Sequence, residues 1–256
     1  MQHDQAIAQS FGPRADAYLT STVHSNGADL NLLADMINAT GRPRVLPRVL
    51  DLGCGAGHAS FAVASFAFEV VAYDLTDSML SIVSAAAKER GLSNIRTQLG
   101  SVESLPYRAG EFDWVISRYS AHHWRDIRRA LREIRRVIRP GGQICFIDVA
   151  GGPEPMLDTH LQAVELLRDP SHVRNYTSDE WLNLFGEYFS QPEINLRWRL
   201  PLEFSSWIAR IGTPANRVAA LESLWSAAPA EVRAYYMLQE DLSFELDALM
   251  ISTRCA

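Results

Sequence analysis

Three glycines and two aspartates carry the first chemical signal in this chain. In the segment VLDLGCGAGHAS, Gly53, Gly55 and Gly57 sit where an apolar run gives way to a helical pattern. Glycine at such a turn permits positive φ and lets a ligand approach the backbone with no Cβ in the way. The start of the following helix adds N–H groups that suit a polar or anionic ligand. Asp74 ends the next apolar run, 17 positions after Gly57. A carboxylate at that place can accept hydrogen bonds from both ribose hydroxyls of a nucleoside. Asp51 lies inside the first apolar run, where a charge is costly unless a cationic cofactor group or a loop N–H pairs it. A glycine pair alone describes a tight turn equally well, and helix capping is the plainer role for Asp74. Their combination is what points to a nucleoside-type ligand.

A second group of chemically capable residues lies downstream. The segment RYSAHHWRD holds Arg118, His122 and His123. Histidine is the natural general base near neutral pH, so His122 and His123 are candidate catalytic residues. The plainer alternative packs one against Trp124 and lets the other hydrogen-bond locally. The polar stretch RDPSHVRNYTSDEW holds Arg168, His172, Arg174 and Tyr176, which could grip an anionic or phenolic acceptor, or could simply join two helices.

The elements that must position these residues alternate. Strands are predicted at 49–53, 69–74, 94–100, 112–118 and 143–150, with helices at 58–66, 77–90 and about 125–138. The turn Pro140-Gly141-Gly142 is expected to end the third of these helices. Strands apolar on both faces and separated by helices indicate a parallel sheet covered on both sides. The first 44 residues read as helical, with Leu30, Leu33, Ala34 and Ile37 on one side. Gly41, Pro43 and Pro47 then break the pattern. Two more strands are expected at 193–200 and 242–254, after helical inserts that add packing or form a lid.

The glycine spacing narrows the ligand. A dinucleotide site wants G-x-G-x-x-G, whereas this chain reads G-C-G-A-G-H from Gly53, which weakens a nicotinamide-dependent oxidoreductase. The segments D-L-G-C-G-A-G, Y-D and L-R-E-I-R-R-V-I-R-P-G-G resemble class I S-adenosylmethionine-dependent methyltransferases over roughly residues 45–150. Within that superfamily the chain is most similar to the small-molecule group that includes the ubiquinone- and menaquinone-biosynthesis enzymes. The resemblance implies a Rossmann-like, doubly wound α/β fold. Its seven-stranded sheet would be mostly parallel with an antiparallel last strand. One methyltransferase domain would span 1–256, with an N-terminal cap (1–44), a cofactor core (45–150) and a region of inserts plus the last two strands (151–256).

The same resemblance implies S-adenosyl-L-methionine as cofactor and S-adenosyl-L-homocysteine as product. Gly53, Cys54, Gly55 and Gly57 would line the methionine moiety, with Asp51 beside them and Asp74 on the ribose. Leu75 and Met79 would lie near the adenine. Ser101 stands where the family commonly has an acid for the adenine amino group, so its hydroxyl or the Val102 backbone would serve. Arg118 and Tyr18 are expected at the cofactor. His24, in the segment that resembles the family's cap, would help close the acceptor pocket with the 168–176 residues.

Composition limits the partners. The chain has 256 residues, 47% hydrophobic and 21% charged, with a net charge of −6. That balance argues for a globular domain and against a phosphate-backbone binder. The seven arginines of RDIRRALREIRRVIRPGG alternate with apolar residues at helical spacing, so they read as a solvated helix face rather than a nucleic-acid surface. No N-P-P-Y-type segment follows the fourth strand, which further disfavours a nucleic-acid methyltransferase. Cys54, Cys145 and Cys255 have neither zinc spacing nor a disulfide framework. With no secretory or spanning segment, a cytoplasmic location without membrane insertion is expected. The acceptor is expected to be a small molecule. A non-catalytic cofactor-binding protein remains the alternative, and neither the methylated atom nor the oligomeric state is legible.

Overall fold

The computed structural model describes His3, Gln5, Ile7, Phe11 and residues 27–40 and 46–256. Tyr18 and His24 lie outside the described residues, so their expected roles at the cap stay expectations. Of the N-terminal helical pattern, α1 (Ala28–Thr40) is present and buries Leu30, Leu33 and Ile37, the predicted stripe.

Seven strands form one sheet: β1 (Arg48–Leu52), β2 (Glu69–Asp74), β3 (Ile95–Leu99), β4 (Phe112–Arg118), β5 (Ile138–Val149), β6 (Ser190–Leu202) and β7 (Phe244–Arg254). Their order is β3-β2-β1-β4-β5-β7-β6. The pairs β1–β2, β2–β3, β1–β4 and β4–β5 are parallel, while β7 runs antiparallel to both its neighbours. The expected fold class is therefore observed. Strand order reverses between β1 and β4, which opens a crevice at their C-terminal ends, the place where open α/β sheets bind ligands.

Alternation along the strands feeds two cores. Leu50, Leu52 and Val115 face one side with Phe146, while Val49, Trp114 and Ile116 face the other with α1. Helices α2 (His58–Val63), α3 (Asp77–Glu89) and α4 (Ile127–Val137) are the crossovers. Helix α2 is shorter than predicted because residues 64–66 tighten into a 3-10 turn. The third helix also stops early. β5 begins at Ile138 opposite Phe112, and a register shift brings Gln143 opposite Trp114. The Pro140-Gly141-Gly142 turn thus lies inside the irregular start of β5. It is held there by Gly141 N–H to the Cys255 carbonyl (2.8 Å) and Cys255 N–H to the Gly142 carbonyl (2.9 Å).

The inserts are packed layers. Between β5 and β6 lie α5 (Pro155–Arg168) and α6 (Ser178–Tyr188). Between β6 and β7 lie α7 (Phe204–Ile211), α8 (Ala215–Ser226) and α9 (Ala230–Tyr235). Leu157, Leu161, Trp207, Leu221 and Trp225 form a third apolar core against Val149, Phe244 and Leu246 at the strand ends. This layer stands beside the crevice and walls it.

Candidate active site

The turn after β1 takes up four of its N–H groups internally. Gly53 and Cys54 donate to the Tyr73 carbonyl (2.8 and 3.1 Å), and Gly57 donates to the Cys54 carbonyl (2.9 Å). Gly55 N–H donates to Asp74 Oδ2 at 2.9 Å, and Thr76 N–H to Asp74 Oδ1 at 2.9 Å. Gly53 has φ +63°, and a Cβ there would meet Ser120 Oγ at 1.8 Å, so the β1 and β4 turns approach closely only through glycine. Gly55 has φ +51° and open space on the side where a Cβ would lie. These committed donors differ from the free N–H cradle that a pyrophosphate needs.

Carboxylates dominate the turn instead. Asp51 is fully buried; its Oδ2 accepts from Ser60 Oγ (2.6 Å), while Oδ1 has no hydrogen-bond partner among the described residues. Burial pushes its pKa up to about 6, with the Ser60 hydrogen bonds pulling down and the nearby Asp74 charge pushing up. Burial also raises Asp74, against the two N–H donors that favour its charged form. The Cys54 thiol is pushed well up by burial and by both aspartates. An environment this negative disfavours a pyrophosphate and suits a cation.

Of the residues expected at the cofactor, Asp51, Gly53, Cys54, Gly55, Asp74, Leu75, Met79, Ser101, Val102 and Arg118 line one cavity. Gly57 is not on its wall; its φ of +85° caps α2 instead. Ser101 contributes its carbonyl to Tyr73 Oη (3.1 Å) and its hydroxyl to Glu103 N–H (3.3 Å). Glu103 was not singled out by sequence, although it stands two positions after Ser101. It lines the cavity and is held by Arg125 Nη2 (2.6 Å) and Asp126 N–H (3.0 Å). Ser120 and Trp124 were also missed, because only the β1–β4 approach brings them to the glycines. Arg118 reaches the cavity with its Nε bound to Asp29 Oδ2 at 2.6 Å, a pair whose side chains are 6% and 5% exposed.

A second chamber shares Phe11, Tyr119 and His123 with the first. Between them runs a 3-10 turn (Ala121–His123) that carries the paired histidines. His122 donates from Nδ1 to Asp148 Oδ1 at 2.5 Å, and its backbone N–H reaches Asp148 Oδ2 at 3.2 Å. Burial works against a charged His122, but the Asp148 charge and hydrogen bond, with Glu165 and Asp169 behind them, raise its pKa overall. His123 donates from Nδ1 to the Ser171 carbonyl (3.1 Å); burial and the His122 charge lower its pKa. The two adjacent histidines are therefore pushed in opposite directions, His122 up and His123 down.

Expectations for the acceptor residues need correction. Arg168 and His122 line the second chamber, but His172, Arg174 and Tyr176 line neither chamber. His172 donates from Nε2 to Gln162 Oε1 (2.9 Å), and burial keeps it neutral. Arg174 is engaged by Asp158 (3.0 Å) and Glu180 (2.8 Å). Tyr176 packs on Trp181 at 4.9 Å. Each of these polar side chains found a nearer structural partner. No group of His, Cys, Asp and Glu among the described residues is arranged to hold a metal.

Comparison with known proteins agrees with this geometry. A family model described as a methyltransferase domain matches residues 50–146. The chain is 35% identical over 246 residues to the uncharacterized methyltransferase YcgJ of Bacillus subtilis, covering 94% of this chain and 96% of that one. The chain belongs to the methyltransferase family. It is an S-adenosylmethionine-dependent methyltransferase. The crystal structure of YcgJ superposes with a TM-score of 0.81 at 34% identity, over 88% of this methyltransferase and 98% of that chain. The uncharacterized protein YafE of Escherichia coli is 47% identical over 204 residues, 80% of this chain and 99% of its own. A Salmonella typhimurium relative named malonyl-[acyl-carrier protein] O-methyltransferase is 34% identical over 179 residues, 69% of this chain and 65% of its own.

Proposed function

We propose that this methyltransferase holds S-adenosylmethionine in the first cavity and a small-molecule acceptor in the second, with His122 as the base between them. The observation that carries this reading is the buried Asp51 beside the half-buried Asp74, at a turn where the N–H groups of Gly53, Cys54, Gly55 and Gly57 are already committed. Asp51 Oδ1, buried and without a partner, fits the cofactor's ammonium or sulfonium charge. Asp74 accepts one N–H on each oxygen, and an ionised carboxylate has further lone pairs for two ribose hydroxyls. Leu75 and Met79 supply an apolar edge for the adenine, and Ser101, Val102 and Glu103 the polar one. Arg118, fixed by Asp29, shapes the end nearest β4.

When bound, the cofactor supplies a methyl group on a positively charged sulfur. The protein's part is alignment, exclusion of water and disposal of a proton. Asp148 fixes the proton of His122 on Nδ1, which leaves the Nε2 lone pair to take a proton from the acceptor. His123, Phe11 and Tyr119 line both chambers, so they border the place where the acceptor would meet the methyl group.

An acceptor smaller than a nucleic acid is supported by the fate of the arginine run. Arg125, Arg128, Arg136 and Arg139, four of its seven arginines, pair with Glu103, Glu187, Glu133 and Asp113, so much of the run's charge is met within the protein. The Salmonella relative is named for malonyl-[acyl-carrier protein], not for a nucleic acid. Because β6 and β7 complete the same sheet as β1–β5, the whole chain is read as one catalytic domain. Among the described residues no helix is long and apolar enough to cross a membrane, and Cys54, Cys145 and Cys255 are free thiols; both support a cytoplasmic enzyme.

Isothermal titration with S-adenosylhomocysteine tests the cofactor half. The wild-type protein is expected to bind, and Asp74→Ala to weaken binding by about tenfold or more through the lost charged hydrogen bonds. Folded wild-type protein that gives no heat, or an Asp74→Ala variant that binds equally well, refutes this assignment.

A further inference from the structure

The second chamber has a chemical bias that the cofactor assignment does not explain. Among the described residues, its wall carries two side chains, Arg168 and Asn175, with donors that lack acceptors. Arg168 lies with its side chain 11% exposed, its guanidinium over the Trp207 ring at 4.7 Å and its Nε donating to the Trp207 carbonyl at 3.1 Å. These contacts fix the plane of the guanidinium, yet its Nη1 and Nη2 make no hydrogen bond among the described residues. The nearest carboxylate, Glu165, is 3.8 Å from Nη1, beyond hydrogen-bond length. Asn175 is 1% exposed, lines the same chamber, and its Nδ2 has no partner. Arg210 adds a second guanidinium to the wall.

Unmet donors in a buried site are costly, and the group that satisfies several at once is an anion. The charges facing the chamber lean the same way. Among the described residues of the wall, the acidic side chain beside Arg168 and Arg210 is Glu165, and burial raises its pKa towards the neutral form. Asp148 and Asp169 are not on the wall: Asp148 accepts from His122 and Val149, and Asp169 from the Ser171 N–H and hydroxyl. Leu200, Leu202, Trp207 and Leu246 form an apolar side of the wall, which also carries Tyr119 and the paired histidines.

We propose that the second chamber recognises an acceptor with an anionic head, a carboxylate or phosphate, on an apolar body. Arg168 with Arg210 and Asn175 holds the head, and the β6–β7 leucines hold the body. This proposal rests on the reading of that chamber as the acceptor site. It goes beyond that reading by naming the chemistry that the chamber selects.

The test measures binding of matched probes to the protein saturated with S-adenosylhomocysteine. The anions are octanoate, 3-phenylpropanoate and octyl phosphate; the neutral controls are octanamide and 3-phenylpropanamide. At least one anion is expected to bind tenfold or more tightly than its neutral match, with octanoate against octyl phosphate distinguishing the two heads. Arg168→Met and Arg210→Met are each expected to remove that preference while S-adenosylhomocysteine still binds, which shows that the variants are folded. Equal binding of anions and amides, binding of no probe, or a preference that survives both substitutions overturns the proposal. Should S-adenosylhomocysteine fail to bind the wild-type protein, the cofactor assignment falls. The anion preference measured without it then still decides this chamber.

Discussion

Replacing Asp148 by Asn isolates the feature that makes His122 a base. The substitution keeps the size of the side chain and leaves an amide oxygen for the His122 Nδ1–H and the Val149 N–H, but it removes the charge. Side-chain exposures are 16% for His122 and 2% for Asp148, so screening by solvent is weak. At an effective dielectric of about 20, two charges about 4 Å apart interact by about 4 kcal/mol. That attraction is the reason the imidazole is raised in spite of its burial. Burial pulls the other way, as do His123 and His172 if charged, with ring centroids 4.2 and 5.9 Å away. Glu165 and Asp169 still favour the cation. The expected result is a fall of at least about one unit, from above to below the ordinary value of about 6.5.

Titration of the His122 ring protons by NMR reads this directly. Stability gives an independent check. A histidine whose folded pKa is raised adds stability that is complete below its unfolded pKa and is lost as pH rises through the folded value. Wild-type protein should therefore lose part of its unfolding free energy as pH rises from about 6.5 through the folded pKa, and Asp148→Asn should not. An Asn variant whose imidazole titrates within about 0.3 unit of wild type, against the full unit expected, would falsify the dyad.

Three further outcomes are expected. Gly53→Ala forces a Cβ onto Ser120 Oγ at 1.8 Å in a left-handed conformation. It should cost about 2–3 kcal/mol in urea unfolding, and adding Ser120→Gly should recover part of that; a loss below about 1 kcal/mol contradicts the close approach. Arg118→Met strands the buried Asp29 carboxylate and should cost about 3–5 kcal/mol. The double variant Asp29→Leu/Arg118→Met should be markedly more stable than that single one, and simple additivity would dismiss the pair. Thr177→Ala removes the capping box in which Thr177 Oγ1 accepts from Glu180 N–H (3.2 Å) and Glu180 Oε2 from Thr177 N–H (2.8 Å). It should cost about 1 kcal/mol with S-adenosylhomocysteine affinity unchanged; a large change in affinity would link α6 to the cofactor.

Local pattern was enough for the sheet and the cofactor half of the site. The run VVAYD alternates with helices at a period that only a covered parallel sheet accommodates, and it delivers Asp74 to a strand end. Gly53 and Gly55 declare a turn in positive φ because no other residue adopts it cheaply. The start of β5 was harder to read: Ile138 pairs with Phe112 before the glycine turn, through a register shift that local propensity does not encode. Asp148 sits in an apolar strand, and its partner His122 lies 26 positions earlier, so their meeting depends on the β4–β5 pairing.

The polar stretch 168–176 shows the boundary most clearly. By composition Arg168, His172, Arg174 and Tyr176 are equivalent candidates for a ligand, and only packing separates them. Arg174 and His172 met Glu180 and Gln162, whereas Arg168 was laid across Trp207 with its outer nitrogens making no hydrogen bond among the described residues. What the sequence by itself determined was the strand-turn-helix that offers two carboxylates to a nucleoside cofactor, since backbone conformation and burial there follow from nearby residues. Which side chains meet across the crevice was decided by the tertiary structure. A polar group's role depends on whether a partner reaches it first, and those partners come from elements far apart in the chain.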